Sequence, residues 1–229
     1  MDPGLYIAAS GMLAEQARQS QLANDLSNAS TPGYKSDQAE QQSFGALLLS
    51  NTSNGQQIGT IDTGVRIDKV VTDTTPATLN QTGQPLDFGI AGTGYFAVRG
   101  AQGIRYTRDG QFQSNDKSQL VDANGDLVLG QNGQPITASA KGAVAATALG
   151  VFNVPNAAKQ GDNLFTGRST GRAAGAVHQG ELEASGVDPI QTMTDMIASL
   201  RAYQAGQSAI QSIDKTMQEN AQSVGSLGG

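Results

Sequence analysis

Residues 187–224 read VDPIQTMTDMIASLRAYQAGQSAIQSIDKTMQENAQSV, and this stretch decides the fold. Asp188 is placed to cap a helix and Pro189 suits its first position, where the missing N–H costs nothing. Stepping alternately by three and four gives Met193, Met196, Leu200, Tyr203, Gln207, Ile210, Asp214, Met217, Ala221 and Val224. Only Gln207 and Asp214 interrupt the apolar series, so the spacing predicts a long helix with a coiled-coil-like seam. Such a helix cannot bury its stripe alone, because helical stability comes mostly from packing against a partner.

A partner is available at the other end of the chain. Pro3 opens a second helical stretch to residue 28, with Asp2 as its expected cap. Leu5, Ala9, Met12, Ala23 and Leu26 fall at helical spacings in it, with Ala8 and Leu22 beside them. The ionised side chains between Leu5 and Asn28 are Glu15, Arg18 and Asp25. A helix with one wet face usually carries more charge than that, and the small Ala, Ser and Asn residues permit close neighbours on several sides. The helix stops at Asn28-Ala29-Ser30-Thr31-Pro32-Gly33-Tyr34, where Pro32 turns Thr31 away from helical dihedrals and Gly33 allows a turn.

Between the two helices the pattern changes. Residues 34–63 are polar and poor in periodicity, and 50–60 read as a loop of Asn, Ser, Gly and Gln. From 64 to 185 short apolar runs recur: Val65 to Val71, Leu86 to Ile90, Tyr95 to Val98, Ile104 to Thr107, Leu120-Val121, Leu127 to Leu129 and Val151 to Val154. Asp109-Gly110, Asn124-Gly125 and Asn132-Gly133 punctuate them as turn dipeptides. The expected class is therefore α+β: N- and C-terminal helices pair in a coiled-coil-like inner layer, and a central irregular antiparallel β-domain stands between them. The expected parts are 1–33 with 186–229 as a helical assembly domain, 34–63 as a variable connection and 64–185 as the β-domain.

Composition excludes several functions. Net charge is −6 and no run of Lys or Arg exists, so neither nucleic acid nor an anionic membrane surface is an expected partner. Charged residues make up 15% against a usual level of about 25%. Gln, Asn, Ser, Thr and Gly replace them, which suits a subunit that buries surface against copies of itself. No apolar run approaches the roughly 20 residues of a membrane span, so no direct membrane insertion is expected. The start of the chain, Met1-Asp2-Pro3-Gly4-Leu5, lacks the pattern of a secretory signal, so any export is expected without a cleaved peptide.

Candidate chemistry is thin. Gly92-Thr93-Gly94-Tyr95-Phe96-Ala97 matches a dinucleotide fingerprint, but the continuation reads as strand where the fingerprint requires a helix. Asp122, Asn124 and Asp126 begin like a calcium loop, yet Leu127 and Gly133 stand where Gly and Glu are needed. Cys is absent and His178 is the only His, so triads and metal clusters lack members. The expectation is a non-enzyme with no catalytic residue, metal, cofactor or small-molecule substrate. A β-domain hydrolase with a paired carboxylate is one rival. An adhesive module with a groove of Tyr95, Tyr106 and Phe112 is another.

Three segments resemble the flagellar rod and hook axial protein family of bacteria. Ala8-Ala9-Ser10-Gly11-Met12 followed by Asn24 to Lys35 is similar to its N-terminal helix and N-x-x-T-P-G-[FY]-[KR] turn. Leu86 to Phe96, with Tyr106-Thr107-Arg108-Asp109-Gly110-Gln111-Phe112, resembles its central β-core. Gly180 to Asp188, with Leu200-Arg201-Ala202-Tyr203, resembles its C-terminal helix and the L-E-x-S-x-V run before it. The middle is short, which favours rod over hook, and Leu182 to Ser185 with Arg201-Ala202-Tyr203 leans to a distal over a proximal rod type. The resemblance implies a basal-body subunit, polymerised with itself and other rod and hook proteins into a shaft that transmits torque. It also implies export by the flagellum's own type III apparatus. The assembly residues would be Leu5, Ala9, Met12, Leu22, Leu26, Met193, Met196, Leu200, Tyr203, Ile210 and Met217. The turn signature would be Asn28, Thr31, Pro32, Gly33 and Tyr34.

Overall fold

The computed structural model describes residues 3–43, 46–50, 57–62, 64–138 and 144–226. The expected cap Asp2 lies outside them. The chain divides into two compact units: residues 1–26, 37–71 and 189–229 form the first, and 27–36 with 72–188 the second.

The first unit holds both helices, α1 (Pro3–Ser27) and α2 (Pro189–Ser226). Between them in sequence come β1 (Asp37–Ser43), β2 (Ala46–Ser50), β3 (Gln57–Asp62) and β4 (Val65–Thr72). β2 pairs antiparallel with β3, and β1 pairs with β4, giving two two-stranded sheets. The loop expected over 50–60 is thus partly strand, since Ser50 ends β2 and Gln57 starts β3. Its backbone ladder needs no apolar alternation, which is why hydropathy did not signal it.

α1 is held at named points. Ser10 Oγ accepts the Val65 amide at 3.2 Å, tying the helix to the base of β4. Ser199 Oγ of α2 donates to the Glu15 carbonyl at 3.2 Å and to its carboxylate at 2.7 Å. A Cβ on Gly206 would lie 2.8 Å from Met12 Cγ, so the absent side chain lets the helices approach closely. Apart from Asp195, the more enclosed positions of α2 are Thr192, Met196, Ser199, Tyr203, Gly206, Ile210 and Ile213, again in steps of four and three. This stripe shares Met196, Tyr203 and Ile210 with the expected seam. Its other members, Thr192, Ser199, Gly206 and Ile213, stand one place before Met193, Leu200, Gln207 and Asp214, and the first three are small.

The second unit is β-structure. Its strands are β5 (Leu79–Gln81), β6 (Phe88–Ala91), β7 (Tyr95–Gly100), β8 (Gly103–Thr107), β9 (Gln113–Ser114), β10 (Leu120–Val121), β11 (Leu127–Leu129) and β12 (Val151–Asn153). After them come β13 (Ala158–Gln160), β14 (Leu164–Thr166), β15 (Gly171–Arg172), β16 (Ala176–Gln179) and β17 (Glu181–Glu183). The main antiparallel sheet runs β13-β14-β8-β7-β11-β10-β9, with β12 joined to β7 and β15. The pairs β6–β16 and β5–β17 stand apart from it.

β7 is the centre of this unit. It hydrogen-bonds to β8, β11 and β12 and is buried on both faces. Phe96 and Val98 enter a cluster with Phe88, Ile90, Phe112, Leu120 and Val128. Tyr95 and Ala97 enter another with Tyr106, Leu129, Val154 and Phe165. Alternation on a pleated strand puts these pairs on opposite sides. Gly94, at φ 123°, leads directly into the strand, so the G-x-G-x-x-A match is a turn between strands. Asp122 Oδ1 accepts the amides of Asn124 and Asp126 at 2.9 and 2.8 Å, making the calcium-like run an Asx turn.

Candidate functional site

The most constrained place in the second unit is where the chain arrives from α1 and departs towards α2. The turn after α1 is built by its own residues. Thr31 donates its amide to the Asn28 carbonyl at 3.1 Å and its hydroxyl to Asn28 Oδ1 at 3.1 Å. Gly33 sits at φ 66°, and a Cβ there would collide with the Arg108 carbonyl, so both backbone and space demand glycine. Asn163 Nδ2 donates to the Pro32 carbonyl at 3.1 Å.

The departing segment lies alongside. The Gly33 amide donates to the Glu183 carbonyl at 2.9 Å and the Gly186 amide to the Tyr34 carbonyl at 2.8 Å. Ser185 Oγ donates to the Asn28 carbonyl at 3.0 Å. Tyr34 is fully buried, with Lys159 Nζ 3.9 Å from its ring centroid. The same ammonium donates to the Lys35 carbonyl at 2.7 Å.

Beneath these contacts lies a buried ionic triad. Glu183 accepts Lys35 Nζ at 2.6 Å and the Ala77 amide at 2.8 Å on one oxygen, and Arg108 at 2.9 Å on the other. The side chains of Lys35 and Arg108 are within 2% of full burial, and that of Glu183 is wholly buried. Lys35 also donates to the Thr75 carbonyl at 2.6 Å, and Arg108 to the Gly92 carbonyl at 2.9 Å while lying over the Tyr95 ring. A buried charge is tolerated only when paired and hydrogen-bonded in this way. Beside the triad, burial pushes the Asp109 carboxyl above its usual range; hydrogen bonds from the Gln111 amide and Asn163 oppose that shift.

Lys35, Arg108 and Glu183 come from the three segments singled out in the sequence, one residue from each. Nothing in composition or spacing marked them as a set, because 148 residues separate Lys35 from Glu183. The only signal was a charged residue embedded in each motif. Asn28, Thr31, Pro32, Gly33 and Tyr34 all lie in this clasp.

The expected assembly residues lie in the first unit. Leu5, Met12, Leu22, Leu26, Met196, Tyr203 and Ile210 are half-buried, whereas Ala9, Met193, Leu200 and Met217 are exposed. Tyr95, Tyr106 and Phe112 are buried core residues and give no open platform for a sugar. His178 is exposed on β16, 3.4 Å from Glu181. Among the described residues no cluster of three or more His, Asp or Glu could hold a metal, and no helix is long and apolar enough to cross a membrane.

Comparison with known proteins bears on the same segments. Residues 5–35 match the family described as flagella basal body rod protein. Residues 89–162 match the flagellar hook protein FlgE/F/G D1 domain, and 178–223 the flagellar basal body rod FlgEFG protein C-terminal. The flagellar hook-basal body complex protein FlhO of Bacillus subtilis is 31% identical, over 98% of this chain and 99% of its own length. The chain belongs to the flagellar basal-body rod protein family. FlgF of Caulobacter vibrioides is also 31% identical, over 100% of this chain and 99% of its own. FlgG of Agrobacterium fabrum is 30% identical over 92% and 95%. This is a family of structural rod proteins and not of enzymes, and the hydrolase alternative finds no support. The three motifs of a rod protein thus meet, in this chain, at one buried triad.

Proposed function

We propose that this chain is a structural subunit of the flagellar basal-body rod. It assembles with copies of itself and with other rod and hook proteins into a stiff hollow shaft that carries torque from motor to hook. The observation that carries this reading is the division of labour in the chain. Two terminal helices offer apolar side chains to solvent, while the clasp fixes both chain legs where they join the β-structure. A shaft needs both properties: surfaces that bind neighbours, and chain legs anchored firmly in the β-structure. Small polar residues on α1 and α2 suit helices packed on several sides. The subunit sits in the basal body within the cell envelope, reached through the flagellar export apparatus.

The test is Leu200→Asp in the full chain. Leu200 is exposed, so the monomer should keep the β-structure seen by circular dichroism, while sedimentation should show assembly abolished. Unchanged assembly would remove α2 from the proposed shaft contacts.

A further inference from the structure

The first unit carries two apolar features that do not meet each other. One is a groove of about 360 Å³, lined by Tyr6, Ala9, Leu13 and Ala17 of α1 and by Val65 and Ile67 of β4. Tyr6 and Leu13 are 54% and 67% exposed. The other is a ridge on α2: Ile190, Met193, Ile197 and Leu200, exposed by 79, 50, 53 and 44%. At 1.5 Å per residue the groove residues on α1 span about 16 Å and the ridge about 15 Å.

The groove and ridge of one copy cannot join. At about 100° per residue, the groove face of α1 lies roughly 150° from the side that meets α2 through Met12 and Glu15. The ridge likewise lies roughly 150° around α2 from Ser199 and Gly206, which meet α1. The helix bearing the ridge therefore stands on the wrong side of α1.

Together the exposed parts of ridge and groove amount to roughly 800 Å², about half of a standard interface and too little for a stable isolated dimer. Two unlike patches behave differently from one self-complementary patch. Each copy engages two neighbours, and the contact repeats without closing on itself.

We infer that the α2 ridge of one copy seats in the α1–β4 groove of the next, a head-to-tail contact that extends the assembly. This rests on the rod-subunit reading above and names the surfaces that realise it. The ridge enters as an amphipathic helix enters a groove, with anchors at i, i+3, i+7 and i+10.

The chain contains no Cys, so engineered thiols report contacts cleanly. Leu13→Cys and Ile197→Cys are made in separate full-length chains carrying different mass tags. Both sites are exposed, so neither change should impair folding. The two chains are mixed, concentrated until wild type sediments as polymer, and oxidised. The expected product is the mixed Leu13→Cys/Ile197→Cys dimer, at least tenfold over either homodimer, and a double variant should give a ladder of multimers. Ile197→Cys homodimers would overturn the inference in favour of ridge on ridge. A sedimenting polymer with no cross-link would overturn it while leaving the rod reading intact, with another axial protein as the occupant of the groove. No polymer and no cross-link from the wild type and the variants alike would count against both.

Discussion

Replacing Glu183 by Gln removes one negative charge and leaves Lys35 and Arg108 facing each other in the protein interior. The triad carries two cations and one carboxylate, so the substitution takes it from one excess positive charge to two. Gln also offers one carbonyl where the carboxylate accepted three donors, and its amide points N–H groups at a donor. Breaking a buried pair in this way costs about 3–5 kcal/mol. A domain holds only about 5–15 kcal/mol in total, so the second unit should lose about a fifth or more of its stability. Lys35→Met is the informative control. It leaves Glu183 paired with Arg108 and the Ala77 amide, and loses mainly the bond to the Thr75 carbonyl, for about 1–3 kcal/mol. The double variant should be less destabilised than the sum of the two, because removing Lys35 relieves one of the stranded cations. Urea unfolding, followed by the fluorescence of Tyr34, Tyr95 and Tyr106, measures all three; urea leaves ionic strength unchanged. An effect of Glu183→Gln no larger than that of Lys35→Met, or strict additivity, would refute the role given to the triad.

Two further outcomes follow from single positions. Gly206→Leu should separate α1 from α2, since even a Cβ would press on Met12; hydrogen exchange in both helices should rise, and Met12→Ala should reverse much of that rise. Asp109→Asn should raise unfolding stability at pH 7. The Asp109 carboxyl has a raised folded-state pKa, so its charge opposes folding above that value and its protonation favours folding below it. The advantage of Asn should therefore shrink as pH falls towards the ordinary Asp range near 4 and vanish below it, and denaturation midpoints across that range would expose the opposite trend.

Much of the architecture could be read from residue order alone. Pro3 and Pro189 marked both helix starts, and Tyr95 to Thr107 announced the β7–β8 hairpin through two apolar runs and a glycine-containing turn. Which face of α2 turns inward was not legible. Thr192, Ser199 and Gly206 occupy that face because their small size permits close approach, and hydropathy gives such residues no weight. The strands after residue 157 were also missed. They are two to four residues long and mostly half-exposed, so β13, β15 and β16 carry little apolar pattern. The triad was hidden for a different reason: a contact between Lys35 and Glu183 has no local signature, and only the folded topology brings the two charges together.

The clasp makes everything between Lys35 and Glu183 a loop closed at its base. The entropy of closing a loop grows only with the logarithm of its length, by about 0.6 kcal/mol for each doubling. Lengthening the surface loops between those two residues, away from the clasp's own partners, therefore adds little closure cost. Aligning this chain of 229 residues with its FlhO relative takes 268 positions, so relatives do differ in how much they carry. A base of this kind lets relatives of unequal bulk keep the same clasp.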